Sequence, residues 1–259
     1  MKFSHSIFMF IGLTLFNLSF QNNLSAKNIS DLDFVTEIYP PYNLRVDGKL
    51  TGMSVDILKA SFVALGKELS EDSIGIYPWA RAYRQAVSGP NTVLFSTTRT
   101  EKREGLFQWV GPISPTRVVL LAKKSKGIKI DSSEMIKKYK IGVLRDDIGE
   151  QMVITLGVPD KLLSKVAVAN SVIKMMNANR VDLWAYEENA ARWFIKQEGF
   201  KNEDYDTVYV LKESDLYFTF SPDVDKDLVD ELQRGIDLIK MKGKGSDKST
   251  YDKILEKYR

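Results

Sequence analysis

Between Asp33 and Tyr258 short apolar segments alternate with amphipathic ones, and the alternation runs through twice. Strand-length apolar runs followed by helical periodicity are the pattern of an α/β fold, with strands buried between helices. In the first pass, Asp33 to Ile38 reads as a strand stopped by Pro40-Pro41. Ser54 to Leu69 reads as a helix with Val55, Leu58, Phe62 and Leu65 on one face, Ile74 to Tyr77 as a strand, Trp79 to Val87 as a short helix and Thr92 to Thr97 as a strand. Val118 to Ala122 leaves this unit as an apolar strand. The second pass runs through a strand at Lys140 to Leu144, a helix at Asp147 to Leu156 and a strand at Val166 to Ala169. A helix at Ser171 to Asn179, capped by Asn170 or Ser171, a strand at Val181 to Tyr186 and a helix at Glu187 to Gln197 follow. Thr207 to Leu211 and Leu216 to Phe220 read as two further strands, and Asp223 to Lys242 and Lys248 to Tyr258 as helices. Two similar units joined by strands near 118–122 and 212–218 predict a two-lobed protein with a ligand cleft between the lobes and a two-strand hinge. The expected division is 27–118 with 217–259 in one lobe and 119–216 in the other.

The first 26 residues carry an address. Lys2, the apolar run Ile7 to Phe20 and the small-residue site Leu24-Ser25-Ala26 form a signal peptide with cleavage expected near Ala26. The run is shorter than the roughly 20 residues of a bilayer-spanning helix. An exported, periplasmic chain is therefore expected. The chain has no Cys, which removes disulfides, thiol nucleophiles and thiolate metal sites. Its one histidine, His5, lies in the leader, so the remainder has no imidazole for a Ser-His-Asp triad or a typical zinc site. No metal or cofactor is expected. A fold without disulfides rests on its core, and the 44% hydrophobic content permits one. The formal charge of +3 is too balanced to imply nucleic acid. Lys123-Lys124-Ser125-Lys126 reads as a solvated turn.

One stretch speaks most directly to chemistry. Ser96 to Arg103, Ser-Thr-Thr-Arg-Thr-Glu-Lys-Arg, follows the apolar residues Val93, Leu94 and Phe95. Hydroxyls at Ser96 and Thr98 with the Arg103 guanidinium suit a carboxylate, because arginine presents a planar fork to both oxygens. No nucleophile with its base accompanies them. The set is suited to holding an anion.

Five motifs in order carry a resemblance: Glu37-Ile-Tyr-Pro-Pro-Tyr42, Gly48-Lys-Leu-Thr-Gly-Met-Ser-Val-Asp-Ile57, Ser96 to Arg103, Ile141-Gly-Val-Leu144 and Arg180-Val-Asp-Leu-Trp-Ala-Tyr-Glu187. From about Asp33 to Tyr258 the chain resembles the type II periplasmic solute-binding proteins of amino-acid ABC importers. The resemblance implies the two-lobed type II fold, a small-molecule ligand, a membrane permease as partner, and action as a monomer with no catalytic residue. It implies that Arg103 holds a ligand α-carboxylate with help from Ser96 and Thr98. It further implies that Tyr39 stacks on the ligand, that Trp79 lines the pocket and that Glu187 meets the ligand ammonium. Glu188 is the alternative if the register slips by one, and Asp182 reads as ending the preceding turn. Arg99 stands where the family has a less charged residue and either reaches the cleft or is a solvated loop cation. Asp146-Asp147 departs from the family's Gly-Thr or Thr-Thr. Asp147 reads as a helix cap, and facing the cleft it would favour a cationic ligand.

Two other functions fit the same scaffold. One is a periplasmic dehydratase using a carboxylate such as Glu187 as general acid. The other is a ligand sensor for a membrane signalling partner.

Overall fold

The computed structural model describes residues 28–243 and 245–258; the predicted signal peptide lies outside them. Its framework is one mixed sheet of eight strands. In sheet order these are β4 (Gly75–Ile76), β1 (Asp33–Thr36), β5 (Thr92–Thr98), β10 (Tyr205–Phe220), β6 (Gln108–Lys123), β9 (Leu183–Glu187), β7 (Ile141–Leu144) and β8 (Leu163–Val166). β4, β1 and β5 run parallel in one lobe, and β8, β7 and β9 run parallel in the other. All residues of β5, β7 and β9 are buried. That is why they read as apolar runs: parallel strands are covered by helices on both faces.

β6 and β10 are each 16 residues long and pair antiparallel from Tyr205 opposite Lys123 to Phe220 opposite Gln108. At about 50 Å extended, they pass through both lobes. Sequence periodicity finds only their ends, Val118 to Ala122, Thr207 to Leu211 and Leu216 to Phe220. Lys212 to Asp215 lie where the strands cross between lobes without being buried, so that stretch carries no apolar signal. Pro112 and Pro115 likewise mimic a turn inside β6. The pairing shifts at Val210/Lys212 and Leu216/Phe218, on either side of this crossing segment.

Helices α1 (Met53–Ala64), α8 (Lys226–Lys240) and α9 (Thr250–Lys257) pack together on the first lobe, and α2 (Trp79–Ser88) packs against β5 and β1. In the second lobe α5 (Ile148–Thr155) lies against β9 and β7, while α6 (Asn170–Asn177) and α7 (Glu188–Gln197) also pack on β9. α3 (Glu101–Glu104) and α4 (Ser133–Ile136) are single turns. Several details differ from expectation, among them the bounds of β1 and β9. β8 ends at Val166, so Ala167 to Ala169 form a loop; α6 follows Ala169 without a side-chain cap. α1 stops at Ala64 before the left-handed Gly66. A hairpin of β2 (Leu44–Val46) and β3 (Lys49–Thr51), turning at Asp47-Gly48 with φ of 50° and 79°, joins the first strand to α1.

Strand pleating decides what meets at the lobe boundary. On β9, Leu183 and Ala185 enter a core with Ile141, Val143 and Val153, while Trp184 and Tyr186 point the other way. That face joins the first lobe's core, and Tyr186 meets Tyr39 edge-on at 5.7 Å between ring centroids.

Candidate functional site

The carboxyl ends of four strands converge between the lobes, the place where open α/β sheets put ligands. Glu37 follows β1, Ser96 to Thr98 end β5, Asp146 and Asp147 follow β7, and Glu187 ends β9. Two close approaches position these ends. A Cβ on Gly52 would lie 2.2 Å from the Tyr42 carbonyl oxygen, so glycine lets α1 start against Tyr42. A Cβ on Gly149 would lie 2.4 Å from the Ala185 carbonyl oxygen, so the first turn of α5 rests directly on β9.

Arg103, 1% exposed, projects from α3 into the boundary. Its Nη1 donates to the Thr98 carbonyl at 3.3 Å and its Nη2 to the Asp146 carbonyl of the opposite lobe at 3.4 Å. The guanidinium lies over the rings of Trp79 and Tyr83 at 5.3 and 5.1 Å. Nε has no partner. Burial draws the guanidinium pKa down, and the charge of Asp147 is the largest effect opposing that.

Asp147 is 5% exposed, and its Oδ2 accepts from Gly149 N–H at 3.1 Å as the N-cap of α5. The cap reading therefore describes its hydrogen bond, yet the same carboxylate sits in the field of Arg103 and Glu37. Burial pushes its pKa up against the pull of Arg103. Asp146, at φ 61°, turns its carbonyl to Trp79 Nε1, which donates at 2.9 Å across the cleft. Lys102 Nζ to Thr155 Oγ1, at 2.9 Å, is another contact between lobes.

Glu187 is fully buried and makes a further contact between the lobes. Tyr42 of the first lobe donates to its Oε1 at 3.1 Å, Asn189 Nδ2 donates to the same oxygen at 3.2 Å, and Ala190 N–H donates to Oε2 at 2.8 Å. Loss of hydration still dominates and pushes the carboxyl up to about 7. Tyr39 lies against Tyr42 in a tilted pair at 5.2 Å between ring centroids as well as meeting Tyr186.

Of the residues singled out in sequence, Arg103, Trp79, Tyr39 and Glu187 lie at this boundary. Thr98 is buried and supplies its carbonyl to Arg103. Ser96 departs from expectation: its hydroxyl lies 2.8 Å from both Asn43 Oδ1 and Ser54 Oγ, inside a first-lobe network that continues to Thr36. At φ 64° Ser96 fixes the end of β5, and its hydroxyl is spent on that network. Arg99 is outside the cleft, paired with Glu104 and lying over Trp109 and Tyr217. Glu188 binds Arg117 and Arg192, and Asp182 binds Lys126 at 2.5 Å.

Sequence reasoning did not assign Glu37, Tyr42, Tyr83, Tyr186 or Asn189. Glu37 is 7% exposed, and burial together with Asp147 holds its carboxyl well above the usual range. The sequence pattern runs the strand on to Ile38, which hides that Glu37 stands one residue past its end at Thr36. Glu37 also lines a mouth cavity of about 340 Å³ with Ile76, Tyr77, Ala169 and Phe194, drawn from both lobes. Glu37, Asp147 and Glu187 do not form a metal cluster; no such grouping of His, Cys, Asp or Glu occurs among the described residues.

Two α/β lobes joined by a pair of long crossing strands, with charged groups buried where they meet, define a two-lobed solute-binding protein. The chain matches the family described as bacterial extracellular solute-binding proteins, family 3, over residues 33–259, and it belongs to that family. An ancestral arginine-binding protein bound to glutamine is similar at TM-score 0.70 and 23% identity, over 86% of this chain and 96% of that one. The arginine-, lysine-, histidine-binding protein ArtJ from Geobacillus stearothermophilus is similar at 0.71 and 17%, over 87% and 94%. A histidine kinase sensor domain with similarity to periplasmic binding proteins gives 0.75 and 17%, over 88% and 96%. At these identities the likeness establishes the fold. No curated protein matches the chain in sequence. Among the described residues no helix is long and apolar enough to cross a membrane.

Proposed function

We propose that this protein is an exported receptor that captures a small amine-bearing solute of the amino-acid class between its lobes and delivers it to an ABC permease. The lobes comprise 27–118 with 217–259, and 119–216. The protein acts as a monomer in the periplasm after removal of residues 1–26, and performs no catalytic step. The observation that carries this reading is the set of buried charged groups contributed by both lobes, with Arg103 Nε and the Tyr186 hydroxyl buried and, among the described residues, unpartnered. Buried polar groups without partners are costly and uncommon, and a polar ligand would satisfy them. Glu187 is the acceptor for a ligand ammonium, Tyr39 and Trp79 flank the ligand, and Arg103 supplies the positive wall. Ligand contacts made on both lobes at once favour the closed arrangement.

Thermal-shift measurement against amino acids, amines and small acids tests the reading. A ligand at about 100 times its Kd stabilises the folded state by about 2.7 kcal/mol, a clear rise in melting temperature. No shift with any member of that panel would overturn it. The kinase sensor-domain likeness favours a second reading, a ligand sensor for a membrane partner. Uptake of the identified ligand by cells lacking the protein separates the two: lost uptake supports the transporter role, and unchanged uptake supports the sensor.

A further inference from the structure

The buried charges between the lobes do not balance. Glu37, Asp147 and Glu187 are all at least nine-tenths buried, as is Arg103, and the guanidinium acts on Asp147 and Glu37; Glu150, also buried, is balanced by Lys165. None of the three forms an ion pair among the described residues, whereas Glu188 immediately beside them binds two arginines. Asp147 and Arg103 are the pair of opposite charges that feel each other most, and Asp147 is anchored in place by Gly149. The guanidinium is also already committed, through Nη1 and Nη2, to one backbone carbonyl on each lobe. Two of its three nitrogens are thus held from inside the protein, and Nε remains for a polar ligand atom.

That leaves Glu37 on one lobe and Glu187 on the other, the latter holding hydrogen bonds from Tyr42, Asn189 and Ala190 but no cation, with the Tyr186 ring in the field of both. Tyr39 and Tyr42 come from the first lobe and Tyr186 from the second. The Tyr186 hydroxyl is fully buried, has no hydrogen-bond partner among the described residues and feels Glu37, Asp147 and Glu187 together. Carboxylates with aromatic faces are the chemistry that receives ammonium groups, and an uncompensated buried carboxylate is unfavourable until a cation reaches it.

We propose that the cleft takes a linear dication, a short α,ω-diamine or polyamine, with one ammonium at Glu37 and the other at Glu187, and that it does not require a ligand carboxylate. This rests on the proposed solute-binding role and narrows its ligand. Asp147 occupies the electrostatic place of that carboxylate.

Calorimetric titration of the purified protein with α,ω-diamines of about three to six carbons, spermidine, lysine and norleucine tests it. At least one amine should bind within about tenfold of lysine or more tightly, and norleucine should bind at least about tenfold more weakly than that amine. Lysine more than about tenfold tighter than every amine, or norleucine within tenfold of the best one, overturns the proposal while leaving the solute-binding role intact. Failure of every compound here and of the broader thermal-shift panel removes both. Two variants locate the effect. Glu37→Gln should weaken the best amine by about tenfold or more, and Asp147→Ser, which retains a capping hydroxyl, should move the preference toward lysine over that amine by about tenfold. An Asp147→Ser protein with the parent preference overturns the role given to Asp147, and unchanged amine affinity in Glu37→Gln overturns that of Glu37.

Discussion

Glu187 makes a prediction with two opposite slopes. Its carboxyl is pushed up to about 7 by burial from an ordinary 4.5. In the unliganded protein it keeps its proton across an interval in which the unfolded chain has already lost one. Its contribution to stability is therefore complete below about pH 4.5 and declines as pH rises toward 7, by about 3 kcal/mol between the limits. Binding runs the other way, because an ammonium needs the carboxylate. With a carboxyl near 7, about 3% is ionised at pH 5.5, so amine affinity should rise about 30-fold, or about 2 kcal/mol, from pH 5.5 to 8. Calorimetry over that range gives the binding slope, and melting of the unliganded protein gives the other. Glu37 and Asp147 are also raised and act with the same sign; the difference between the parent and Glu187→Gln isolates the one residue. In that variant, affinity should fall and its remaining pH dependence should shrink. Amine affinity that is flat from pH 5.5 to 8 would refute the placement of the ligand ammonium at Glu187. A parent-minus-variant stability that grows with pH would refute the origin of the shift in burial.

Arg103→Ala removes the cation shared by Glu37 and Asp147 and empties the space against the Trp79 and Tyr83 rings, so chemical denaturation should show a loss of about 3 kcal/mol. A loss below about 1 kcal/mol would mean the carboxyl groups do not depend on it. Trp79→Phe keeps an aromatic ring but deletes the donor to the Asp146 carbonyl; ligand affinity by calorimetry should drop about fivefold, the equivalent of one hydrogen bond of about 1 kcal/mol. Gly149→Ala forces a methyl to 2.4 Å from the Ala185 carbonyl. It should destabilise by about 2 kcal/mol and lower the melting temperature by about 5 °C, with weaker ligand binding because the cap at Asp147 moves with the helix.

Local apolar periodicity made most of the α/β framework legible, because β5, β7 and β9 are buried on both faces and α2 and α7 are amphipathic. It failed where strands carry no core. The crossing part of β10, Lys212 to Asp215, is charged because it spans the gap between two cores, and no period-two pattern can mark it. Ala167 to Ala169 misled for the converse reason: an apolar loop borders the cleft mouth in the manner of a strand. At the site, residue type was informative for Arg103 and Glu187, whose charges stand at element ends. Side-chain direction was not. Ser96 has the right chemistry and the right strand, but its left-handed backbone and the neighbouring Asn43 and Ser54 turn its hydroxyl inward. Glu37 shows the reverse, a residue ordinary in its motif whose importance comes from Asp147, more than a hundred positions away, being brought beside it by the lobe arrangement.

Closure of such a cleft is an electrostatic problem before it is a packing one. Tyr42 to Glu187, Trp79 to Asp146 and Arg103 to Asp146 join the lobes through hydrogen bonds worth about 1 kcal/mol each net. Burying even one unpaired carboxylate costs several. Shut around ionised Glu37 and Glu187, the lobes lose more than those bonds return, unless a proton or a ligand cation arrives with them. Protonation satisfies the requirement at Glu187 below about pH 7, as its raised carboxyl reflects; above that a cationic ligand takes the proton's place. On the proposed function, the hinge strands need then supply no preference of their own. The half-exposed crossing segment, with pairing shifts on either side, bends without disturbing a core, and the charge of the solute decides which arrangement the protein holds.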